Sequence, residues 1–434
     1  MNTAILGGGI TGLCLGRFLR ERGEHVEIFE LEPTLGGLCR SEVVDGFVFD
    51  IGGGHIFHSR RKDLMDFIVG LLGDQAVENV RNTKIFYRGN YVKYPFENGL
   101  DDLPVDDRYE CLMGYVDAHY KRHYLSPDVP VDFKNWCYYR FGNGITEKFM
   151  LPYNSKIWNI DMEKLGSAWI TGRVPNAPVE DVVQAALGIS TEGYKHQSIF
   201  QYPRSGGFQT FVDVLAEGAA DKIYLSSPVE SVQKQGHGWK VNGKQYDDVI
   251  STIPIHELLP VIEGVPNDVT VAADNLKWNS VATFLFGMEG DVPHAYSWLY
   301  LPHPENGPCN RITYLSNYST ENAPEGCTSV LAEVTYSGRG DLNIDDEYVK
   351  NVRESLDANG MLDKSKVCCE AWRKLKYAYA VYDIGNEDRI SKVLSYIDGT
   401  GLSSLGRFAR FAYINTDHAI GDAMDFVKKR YSEE

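Results

Sequence analysis

The pattern of apolar and polar positions predicts strands at both ends of the chain, helices in its first half and an antiparallel sheet in its second half. Apolar runs at residues 3–6 and 26–29 flank a glycine-rich turn and an amphipathic helical period. Residues 60–78 have a helical period, residues 104–190 are mostly helical by period, and residues 256–384 alternate apolar and polar positions over short runs. This order predicts an α/β fold with inserted segments.

Shorter patterns predict turns and strands between these blocks. A hairpin is expected around Asp45-Gly46, and a strand pair is expected to turn at Gly89-Asn90. A helix is predicted from Gln209 to about Ala219, and short strands follow it up to Thr252. The chain is expected to end in a helix with Ala423, Phe426 and Val427 turned inward.

Composition narrows the classes of protein. The chain has 434 residues, 43% hydrophobic and 24% charged, which allows two or three domains. No apolar run approaches the length of a membrane span, and no basic segment followed by an apolar one stands at the N-terminus, so neither a membrane span nor a secretory signal is expected. Eight cysteines without CxxC spacing indicate reduced thiols in a cytoplasmic protein. The formal net charge of −17 argues against nucleic acid as a partner, so an anionic substrate would need a local basic pocket.

The first thirty residues predict a dinucleotide site. Gly7, Gly9 and Gly12 form a GxGxxG turn between a strand pattern and a helix pattern. Such glycines permit a tight turn, close approach of the backbone to a pyrophosphate, and close packing of helix on strand. Glu30 ends the second strand pattern, where a carboxylate can accept hydrogen bonds from ribose hydroxyls.

The residues that follow narrow the cofactor. Leu35-Gly36-Gly37-Leu38-Cys39-Arg40 adds a second glycine pair and a basic residue. This order resembles the FAD-dependent superfamily of amine oxidases, protoporphyrinogen oxidases, carotenoid desaturases and UDP-galactopyranose mutases. The resemblance implies FAD, with Gly37 and Arg40 among its contacts. The alternative is a hairpin turn in which Gly36-Gly37 only supplies positive φ.

The superfamily resemblance also implies a domain plan. A Rossmann-like FAD-binding domain is expected from residues 1–85, 203–255 and 385–434. Residues 104–190 would form an inserted helical substrate or lid domain, and residues 86–103 with 256–384 an antiparallel β-sheet substrate domain.

One glycine-rich segment resembles the UDP-galactopyranose mutase family in particular. It reads Gly53-Gly54-His55-Ile56-Phe57-His58-Ser59, and the resemblance places Gly54 and the His55 backbone against the flavin, with His55 among the catalytic residues. Alternatively, His55 and His58 only cap a turn. No carboxylate or cysteine stands at metal-ligand spacing, so no metal site is expected.

The interior of the chain carries further patches that resemble these mutases. Residues 94–98 (YPFEN) match a Tyr-Pro-Phe-Gln-Asn segment, with Glu97 in place of glutamine, and they make Tyr94 a candidate substrate contact. Residues 152–158 (PYNSKIW) make Trp158 another, although such aromatics alone are typical of a core. Arg173, between Gly172 and Val174-Pro175, matches an arginine on a mobile loop that holds the substrate diphosphate.

The second half of the chain supplies the remaining candidates. Strand patterns at 297–302 (SWLYLP) and 310–319 (NRITYLSNYS) resemble two strands of the mutases. The resemblance would place Tyr300 at the substrate and make Arg311 the second arginine that holds the diphosphate. Alternatively, ordinary β-propensity explains both strand patterns. Arginine suits the diphosphate contact because its planar fork donates to phosphate in two parallel bonds. Val229 matches a valine whose backbone holds the adenine, and Tyr379 matches a tyrosine only loosely, because Ala380 replaces the proline after it.

The last candidates lie in the closing segment, residues 406–420. Gly406-Arg407 and Tyr413 to Asn415 resemble the closing motif of the mutases. The resemblance implies that Arg407 reaches the flavin and that Tyr413 and Asn415 reach the substrate. Amine oxidases close on a related motif, so this segment supports the superfamily more strongly than the mutases.

Three functions follow from these resemblances. The first is a flavin-dependent mutase that interconverts the pyranose and furanose forms of UDP-galactose or a close relative, with N5 of reduced FAD as the nucleophile and no net redox change. It implies an isomerase of cell-surface glycan biosynthesis with an external reductant such as NAD(P)H, and a homo-oligomer is left open. The second is an oxidoreductase like the flavin amine oxidases or protoporphyrinogen oxidases. The third is a non-catalytic flavoprotein.

Overall fold

The computed structural model describes residues 1–125, 128–170, 174, 177–191 and 198–430. Strands in this part of the chain are β1 (Asn2–Leu6), β2 (His25–Phe29), β3 (Ser41–Val44), β4 (Phe47–Asp50), β5 (Ala76–Val80), β6 (Thr83–Tyr87), β7 (Asn90–Lys93), β8 (Ile199–Pro203), β9 (Lys222–Tyr224), β10 (Val232–Gln235), β11 (Gly238–Val241), β12 (Lys244–Tyr246), β13 (Asp248–Ser251), β14 (Lys277–Glu289), β15 (Trp298–Tyr300), β16 (Arg311–Thr313), β17 (Cys327–Ser337), β18 (Val367–Val381) and β19 (Ser403–Ser404). Its α-helices are α1 (Ile10–Glu21), α2 (Lys62–Leu72), α3 (Val105–Tyr124), α4 (Phe133–Ile145), α5 (Leu151–Trp158), α6 (Val179–Ala186), α7 (Gln209–Ala216), α8 (Ile255–Leu258), α9 (Asn267–Asp274), α10 (Asp346–Ala358), α11 (Asn386–Thr400) and α12 (Thr416–Arg430).

A five-stranded parallel sheet, in the order β19-β13-β1-β2-β9, forms the nucleotide-binding part of the fold. The central strand β1 is buried on both faces, which explains its apolar end Ala4-Ile5-Leu6, as expected for a strand of a parallel sheet. Helix α1 leaves β1 through the glycine turn and buries Leu13, Leu15 and Leu19 against the sheet. The α/β fold class predicted from the sequence is confirmed by this sheet and by the inserted segments described next.

The second large sheet of the fold has seven strands in the order β18-β14-β17-β16-β15-β6-β7. Its pairs are antiparallel except for β6 with β15, which run parallel. The long strands β14, β17 and β18 anchor the sheet, and the short strands β15 and β16 carry Tyr300 and Arg311 at the interior of the protein. This sheet therefore holds several candidate substrate contacts on a rigid support.

Helices α3 to α6 form the inserted helical segment, which lies between β7 and β8 along the chain. α3 and α4 pack closely where Gly142 meets Gly114, because a Cβ at Gly142 would lie 2.0 Å from the Gly114 carbonyl oxygen. Phe133, Phe141 and Tyr115 are buried in the cluster that joins the helices. The domain boundaries inferred from the sequence stay a prediction.

Two turns and one helix test the local predictions. The hairpin around Asp45-Gly46 is present as β3–β4. The predicted strand pair is present as β6–β7, but its turn lies at Arg88-Gly89, one residue earlier than expected, because Asn90 already pairs with Tyr87. The helix predicted for residues 60–78 is wrong at its end, because α2 stops at Leu72 and Gly73 follows with a φ of 53°. Residues 76–80 instead pair as β5 with β8, a strand more than a hundred residues further along the chain. Within the described ranges, no helix is both long and apolar enough to cross a bilayer.

Candidate active site

A cavity of about 1350 Å³ runs from the parallel sheet to the seven-stranded sheet. It exceeds the usual range of small-molecule pockets, about 300–1,000 Å³, so it has room for a dinucleotide and a further ligand. One end is lined by the glycine turn, Glu30, Gly36 to Arg40 and Val229; the other end by Tyr94, Trp298, Tyr300, Arg311, Tyr379, Arg407, Tyr413 and Asn415. His55 lies on the wall as well.

The nucleotide end is built by the turn between β1 and α1. Gly12 cannot be another residue, since its Cβ would lie 2.0 Å from the Gly7 carbonyl oxygen. Gly9 is the N-terminal cap of α1 and provides no side-chain acceptor for the first amides of the helix, and the first residues of this helix, Ile10 and Thr11, line the cavity with Gly9. Glu30 accepts hydrogen bonds from the Gly8 amide at 2.7 Å and the Glu32 amide at 2.9 Å, which fixes its carboxylate at the cavity wall.

Gly36 and Gly37 close the same end of the cavity. Both have positive φ, 113° and 57°, so glycine is needed here for its backbone conformation, as the alternative interpretation of this pair as a turn supposed. They begin a single helical turn over Gly37–Cys39 that lies on the glycine turn, with the Gly36 amide donating to the Gly8 carbonyl at 2.9 Å. Arg40 donates to the Gly37 carbonyl at 3.1 Å and to Glu32 at 3.2 Å, and it lines the cavity.

The segment that contains His55 lines the cavity with Gly52, Gly54, His55 and Ile56. Gly53 has a φ of 97°, and a Cβ there would lie 2.8 Å from the Glu333 carboxylate, so only glycine fits. Burial, with smaller contributions from Arg311 and Arg407, lowers the pKa of His55 to about 3. Its imidazole is therefore neutral at physiological pH, and its Nδ1 atom has no hydrogen-bond partner among the described residues.

Arg311 faces the cavity from β16. Its Nε donates to Glu333 at 2.7 Å and its Nη2 donates to the same carboxylate at 2.9 Å. The two residues lie opposite each other in the β16–β17 register, and the Glu333 side chain is only 1% exposed. Burial acts to lower the pKa of Arg311, but Glu333 outweighs it and holds that pKa well above its usual value. The guanidinium therefore stays charged, and its Nη1 atom is not engaged by Glu333.

Arg407 forms the second cationic group at this end. It donates to the backbone carbonyls of Ala378, at 2.8 Å, and of Ile414. Its guanidinium carbon lies 4.8 Å from the centre of the Tyr413 ring and 5.5 Å from that of Tyr379. The Tyr382 hydroxyl accepts from the Tyr413 amide at 2.8 Å and donates to the Phe411 carbonyl at 3.0 Å, so Tyr382 fixes the segment that carries Tyr413.

Arg81 is a third cation on the cavity wall, and the sequence did not single it out. Its guanidinium carbon lies 4.7 Å from the Tyr94 ring centre and 4.9 Å from the Trp298 ring centre, and its Nε donates to Thr83 at 2.9 Å. Glu333 was also missed. Neither residue belongs to a local motif, so no signal in the sequence pointed to them.

The structure brings most of the predicted site residues to one cavity and leaves two of the described ones apart. Gly12 and Trp158 are not among the residues that line it. Trp158 is 2% exposed and packs edge-on against Trp169 and Tyr413, with its indole donating to Asn154 at 3.0 Å. It supports the aromatic wall from behind. Arg173 lies outside the described residues.

Glu97 is buried in the helical segment and does not line the cavity. It is 4% exposed, and its Oε1 atom has no hydrogen-bond partner in the described part of the chain. Burial raises its pKa to about 7, although Arg140 acts in the opposite direction. The position at which this chain has glutamate instead of the glutamine of the mutases therefore lies in the protein core and not at the cavity.

The Glu97→Gln variant is expected to be more stable than the parent protein at pH 8, by about 2–3 kcal/mol, and nearly equal to it at pH 4.5. A pKa raised from 4.5 to about 7 means that the folded state holds the proton more tightly. This contribution to stability is complete below the unfolded pKa and is lost as the pH rises through the folded pKa. Thermal unfolding of both proteins across this range measures the effect, and a difference independent of pH would contradict it.

Lys156 on α5 joins the helical segment to the loop between Tyr300 and Arg311. The three N–H groups of its Nζ are shared among four carbonyl oxygens, those of Leu301 at 3.0 Å and of His303, Gly307 and Cys309 at 2.9 Å each. Burial lowers the pKa of this ammonium to about 8. These contacts fix the loop that connects the two strands of the substrate end.

The Lys156→Met variant should lose about 2–4 kcal/mol of unfolding free energy, because it leaves buried carbonyls without a donor. The exposed Lys164→Met serves as the matched control and is expected to change stability by less than about 0.5 kcal/mol. Denaturant unfolding of the two variants decides the point. Equal unfolding free energies for the Lys156→Met and Lys164→Met variants would show that the loop carbonyls do not need the Lys156 ammonium as a donor.

The donors and shape of the cavity fit a flavin dinucleotide. The nucleotide end offers helix amides and a fixed carboxylate. The wall also carries Gly52, Gly54 and two polar atoms, His55 Nδ1 and Trp298 Nε1, which have no hydrogen-bond partner among the described residues. No group of three or more potential metal ligands occurs within the described ranges. The fold and the cavity together define an α/β enzyme that binds a nucleotide cofactor at one end of its cavity and has arginine side chains at the other end.

The sequence matches the family of flavin containing amine oxidoreductases over residues 10–391, and the protein belongs to this family. It is a flavin-dependent enzyme of the amine oxidase superfamily. Over its whole length it is similar to the crystal structure of reduced UDP-galactopyranose mutase, with a TM-score of 0.91, 26% identity and 94% of that chain covered. The resemblance to the mutases stated from the sequence is thereby confirmed.

Other relatives belong to both branches of the superfamily. The chain is 38% identical to UDP-galactopyranose mutase of Mycoplasma pneumoniae over 190 residues, 39% of this chain and 43% of that protein. It is 22% identical to coproporphyrinogen III oxidase of Staphylococcus aureus over 92% of each chain. A putrescine oxidase structure shares the fold, with a TM-score of 0.66 and 17% identity over 100% of this chain and 99% of that one.

Proposed function

We propose that the protein is a flavin-dependent nucleotide-sugar mutase that interconverts the pyranose and furanose forms of UDP-galactose or a close relative. The observation that carries this proposal is the full-length similarity to reduced UDP-galactopyranose mutase. Arg311, Arg407 and Arg81 add to it, since they line one end of the cavity of a protein whose formal net charge is −17. A group of cationic side chains at one end of the cavity suits the binding of an anionic substrate, because it offsets the negative charge of the whole protein locally.

FAD is the proposed cofactor, with its pyrophosphate at the N-terminus of α1 and a ribose at Glu30. Glu30 already accepts two amide hydrogen bonds, and a carboxylate has further acceptor positions for hydroxyl donors. A reduced flavin supplies an electron-rich nitrogen that can act as a nucleophile without net oxidation of a sugar. Gly54 and the His55 backbone form the wall on which the flavin ring would lie.

Arg311 would bind and orient the diphosphate of the substrate. Glu333 accepts hydrogen bonds from Nε and Nη2 of the guanidinium and so fixes the orientation of the side chain. An anion that binds at Nη1 therefore causes little further loss of side-chain freedom. The charge would also stabilise the diphosphate as it leaves the sugar. In this proposal Arg173 holds the same diphosphate as the first clamp, and Arg311 is the second.

The aromatic residues would enclose the sugar. Tyr94, Tyr300, Tyr379 and Tyr413 line the cavity around Arg311 and Arg407, and their rings pack on one another, with Tyr94 and Tyr300 centred 5.3 Å apart. Such a wall excludes water from the reacting carbon, which protects the sugar from hydrolysis. The neutral His55 leaves the middle of the cavity without a charge that would compete for the diphosphate.

The proposal includes an external reductant such as NAD(P)H, a cytoplasmic location and a role in supplying furanose units for cell-surface glycans. The decisive experiment incubates dithionite-reduced protein with UDP-galactofuranose and separates the products by chromatography. UDP-galactopyranose is the expected product. Its absence, with oxidation of an amine or a porphyrinogen by the same preparation, would refute the mutase.

An oxidase is the second candidate, and one observation favours it. The match to coproporphyrinogen III oxidase extends over 92% of both chains, although at 22% identity. A porphyrinogen with propionate side chains is also an anion, so the reaction product, and not the charge of Arg311, separates this candidate from the mutase. Consumption of oxygen with a porphyrinogen, and none of the mutase product, would support this candidate.

A further inference from the structure

Strand β18 has a bulge where it borders the cavity. It pairs with β14 at Leu375 and again at Tyr379. Between these pairs, residues 376–378 of β18 lie opposite the single β14 residue Ser280, and all three line the cavity. A bulge leaves residues unpaired and redirects them, and bulges occur often beside active sites. The cavity wall therefore contains a piece of strand that regular pairing with β14 does not fix.

The last residue of the bulge, Ala378, holds Arg407. Its carbonyl accepts from Nε of Arg407 at 3.1 Å and from Nη2 at 2.8 Å. Two N–H groups on one acceptor fix the plane of a guanidinium, because its donors form a rigid fork. The guanidinium lies against the rings of Tyr379 and Tyr413. A displacement of the Ala378 carbonyl would therefore turn the Arg407 guanidinium within the cavity.

The middle residue of the bulge, Tyr377, is tied to Glu257. Its hydroxyl donates to the Glu257 carboxylate at 2.6 Å, and Lys376 Nζ donates to the same oxygen at 2.7 Å. The Tyr377 ring packs on Trp278 and Phe408, whose ring centres lie 5.2 and 5.3 Å away. Burial acts to raise the pKa of Glu257, but the hydrogen bonds from Lys376 and Tyr377 outweigh it and hold that pKa below its usual value. The carboxylate is therefore charged at physiological pH, which strengthens its bond to the hydroxyl.

Glu257 is anchored to the nucleotide end of the cavity. It lies on the short helix α8, which follows Thr252 closely along the chain. The Thr252 hydroxyl donates to the carbonyl of Leu6, the last residue before the glycine turn, at 2.9 Å. The Ile255 amide donates to the Phe408 carbonyl at 3.1 Å. The bond from Glu257 to the bulge thus joins the glycine turn to the opposite end of the cavity.

We propose that Glu257 is a positioning residue for the substrate end. By holding the Tyr377 hydroxyl it fixes the β18 bulge, and the bulge orients Arg407 towards an anionic ligand. Glu257 acts through Tyr377 and the Ala378 carbonyl. The inference deepens the proposed function and rests on that function for the identity of the anion.

A second group of the same composition offers a matched control. Glu27 accepts from the Tyr246 hydroxyl at 2.5 Å and from Lys244 Nζ at 2.5 Å. None of these three residues is among those that line the cavity. Tyr246→Phe therefore loses the same kind of hydrogen bond as Tyr377→Phe, but away from Arg407.

Titration of the flavin-loaded, full-length protein with UDP tests the proposal. Tyr377→Phe and Glu257→Ala should each weaken UDP binding at least about threefold, because the bulge loses a charge-assisted hydrogen bond. Glu257→Gln should stay within about twofold of the wild type, since its amide oxygen still accepts from the Tyr377 hydroxyl. Tyr246→Phe should lower the melting temperature about as much as Tyr377→Phe and leave UDP affinity unchanged. Equal losses of affinity in both tyrosine variants, or no loss in Tyr377→Phe, would overturn the proposal.

A double-mutant cycle with Arg407→Lys tests whether the effect passes through Arg407. Lysine keeps the positive charge but lacks the fork that binds the Ala378 carbonyl twice. In the Arg407→Lys background, Tyr377→Phe should therefore cause almost no further loss of UDP affinity. Losses that multiply independently would contradict the proposal. If Arg407→Lys does not retain flavin, Glu257→Gln decides, and a loss as large as that of Glu257→Ala would refute the positioning role.

A second anion separates this inference from the proposed function. If the wild type binds no UDP, the mutase proposal fails, and the same variants are titrated with a tetracarboxylate porphyrin. Weaker binding of that anion by Tyr377→Phe, and not by Tyr246→Phe, would support the positioning role without the mutase. A wild type that binds neither anion would overturn both proposals.

Discussion

The Arg311→Met variant is expected to bind UDP about 2–4 kcal/mol more weakly than the parent protein, since it loses a charge-assisted contact to a buried anion. The same change should lower the unfolding free energy by about 3–5 kcal/mol, because Glu333 is left buried without its partner. Calorimetric titration with UDP and denaturant unfolding measure the two effects separately.

Two further variants separate binding from folding. Arg311→Met/Glu333→Met removes both charges and should recover much of the lost stability but none of the UDP affinity. Glu333→Gln keeps the guanidinium and should retain most of the affinity. Recovery of UDP binding in the double variant would show that Arg311 acts only through stability, which contradicts the diphosphate clamp.

The Gly9→Ala variant is expected to fold normally and to lose flavin affinity by at least about tenfold. A Cβ at Gly9 meets only the Gly37 Cα, at 3.9 Å, so the chain itself tolerates it. The added methyl group would occupy the space where the pyrophosphate approaches the backbone. Flavin absorbance after gel filtration, together with the circular dichroism spectrum, gives the result.

Gly70→Ala is the control for this change. Gly70 lies on the exposed side of α2 with no atom within 4 Å of its added Cβ, so alanine there should keep the flavin and stabilise the helix by up to about 1 kcal/mol. Full flavin content in Gly9→Ala would be incompatible with a pyrophosphate at the glycine turn.

The nucleotide end of the site could be predicted because its parts are adjacent in sequence. The glycine turn, α1, β2 and Glu30 follow one another, and their geometry is determined by local rules for turns and helix N-termini. The residues in the second half of the chain were predicted from short patches resembling the mutases. Arg311, Arg407 and the tyrosines are brought to one cavity by strands and loops whose pairing no local pattern specifies.

Tertiary pairing explains what the sequence did not reveal. Glu333 is recognised as the partner of Arg311 only once the register of β16 on β17 is known. Arg81 acquires its place from Tyr94 and Trp298, which come from separate parts of the chain. The end of α2 was missed for the same reason, since β5 exists only because β8 pairs with it. Burial of Glu97 likewise depends on helices that pack around it.

The central claim is that the bound flavin serves a reaction without net redox change. The most direct test reduces the protein stoichiometrically, removes excess reductant, excludes oxygen and adds UDP-galactofuranose while the flavin spectrum and the product are followed. We expect many equivalents of UDP-galactopyranose per flavin, with the flavin reduced at the end as at the start. A single equivalent of product accompanied by flavin oxidation, or no product from a fully reduced and UDP-binding protein, would contradict the mutase.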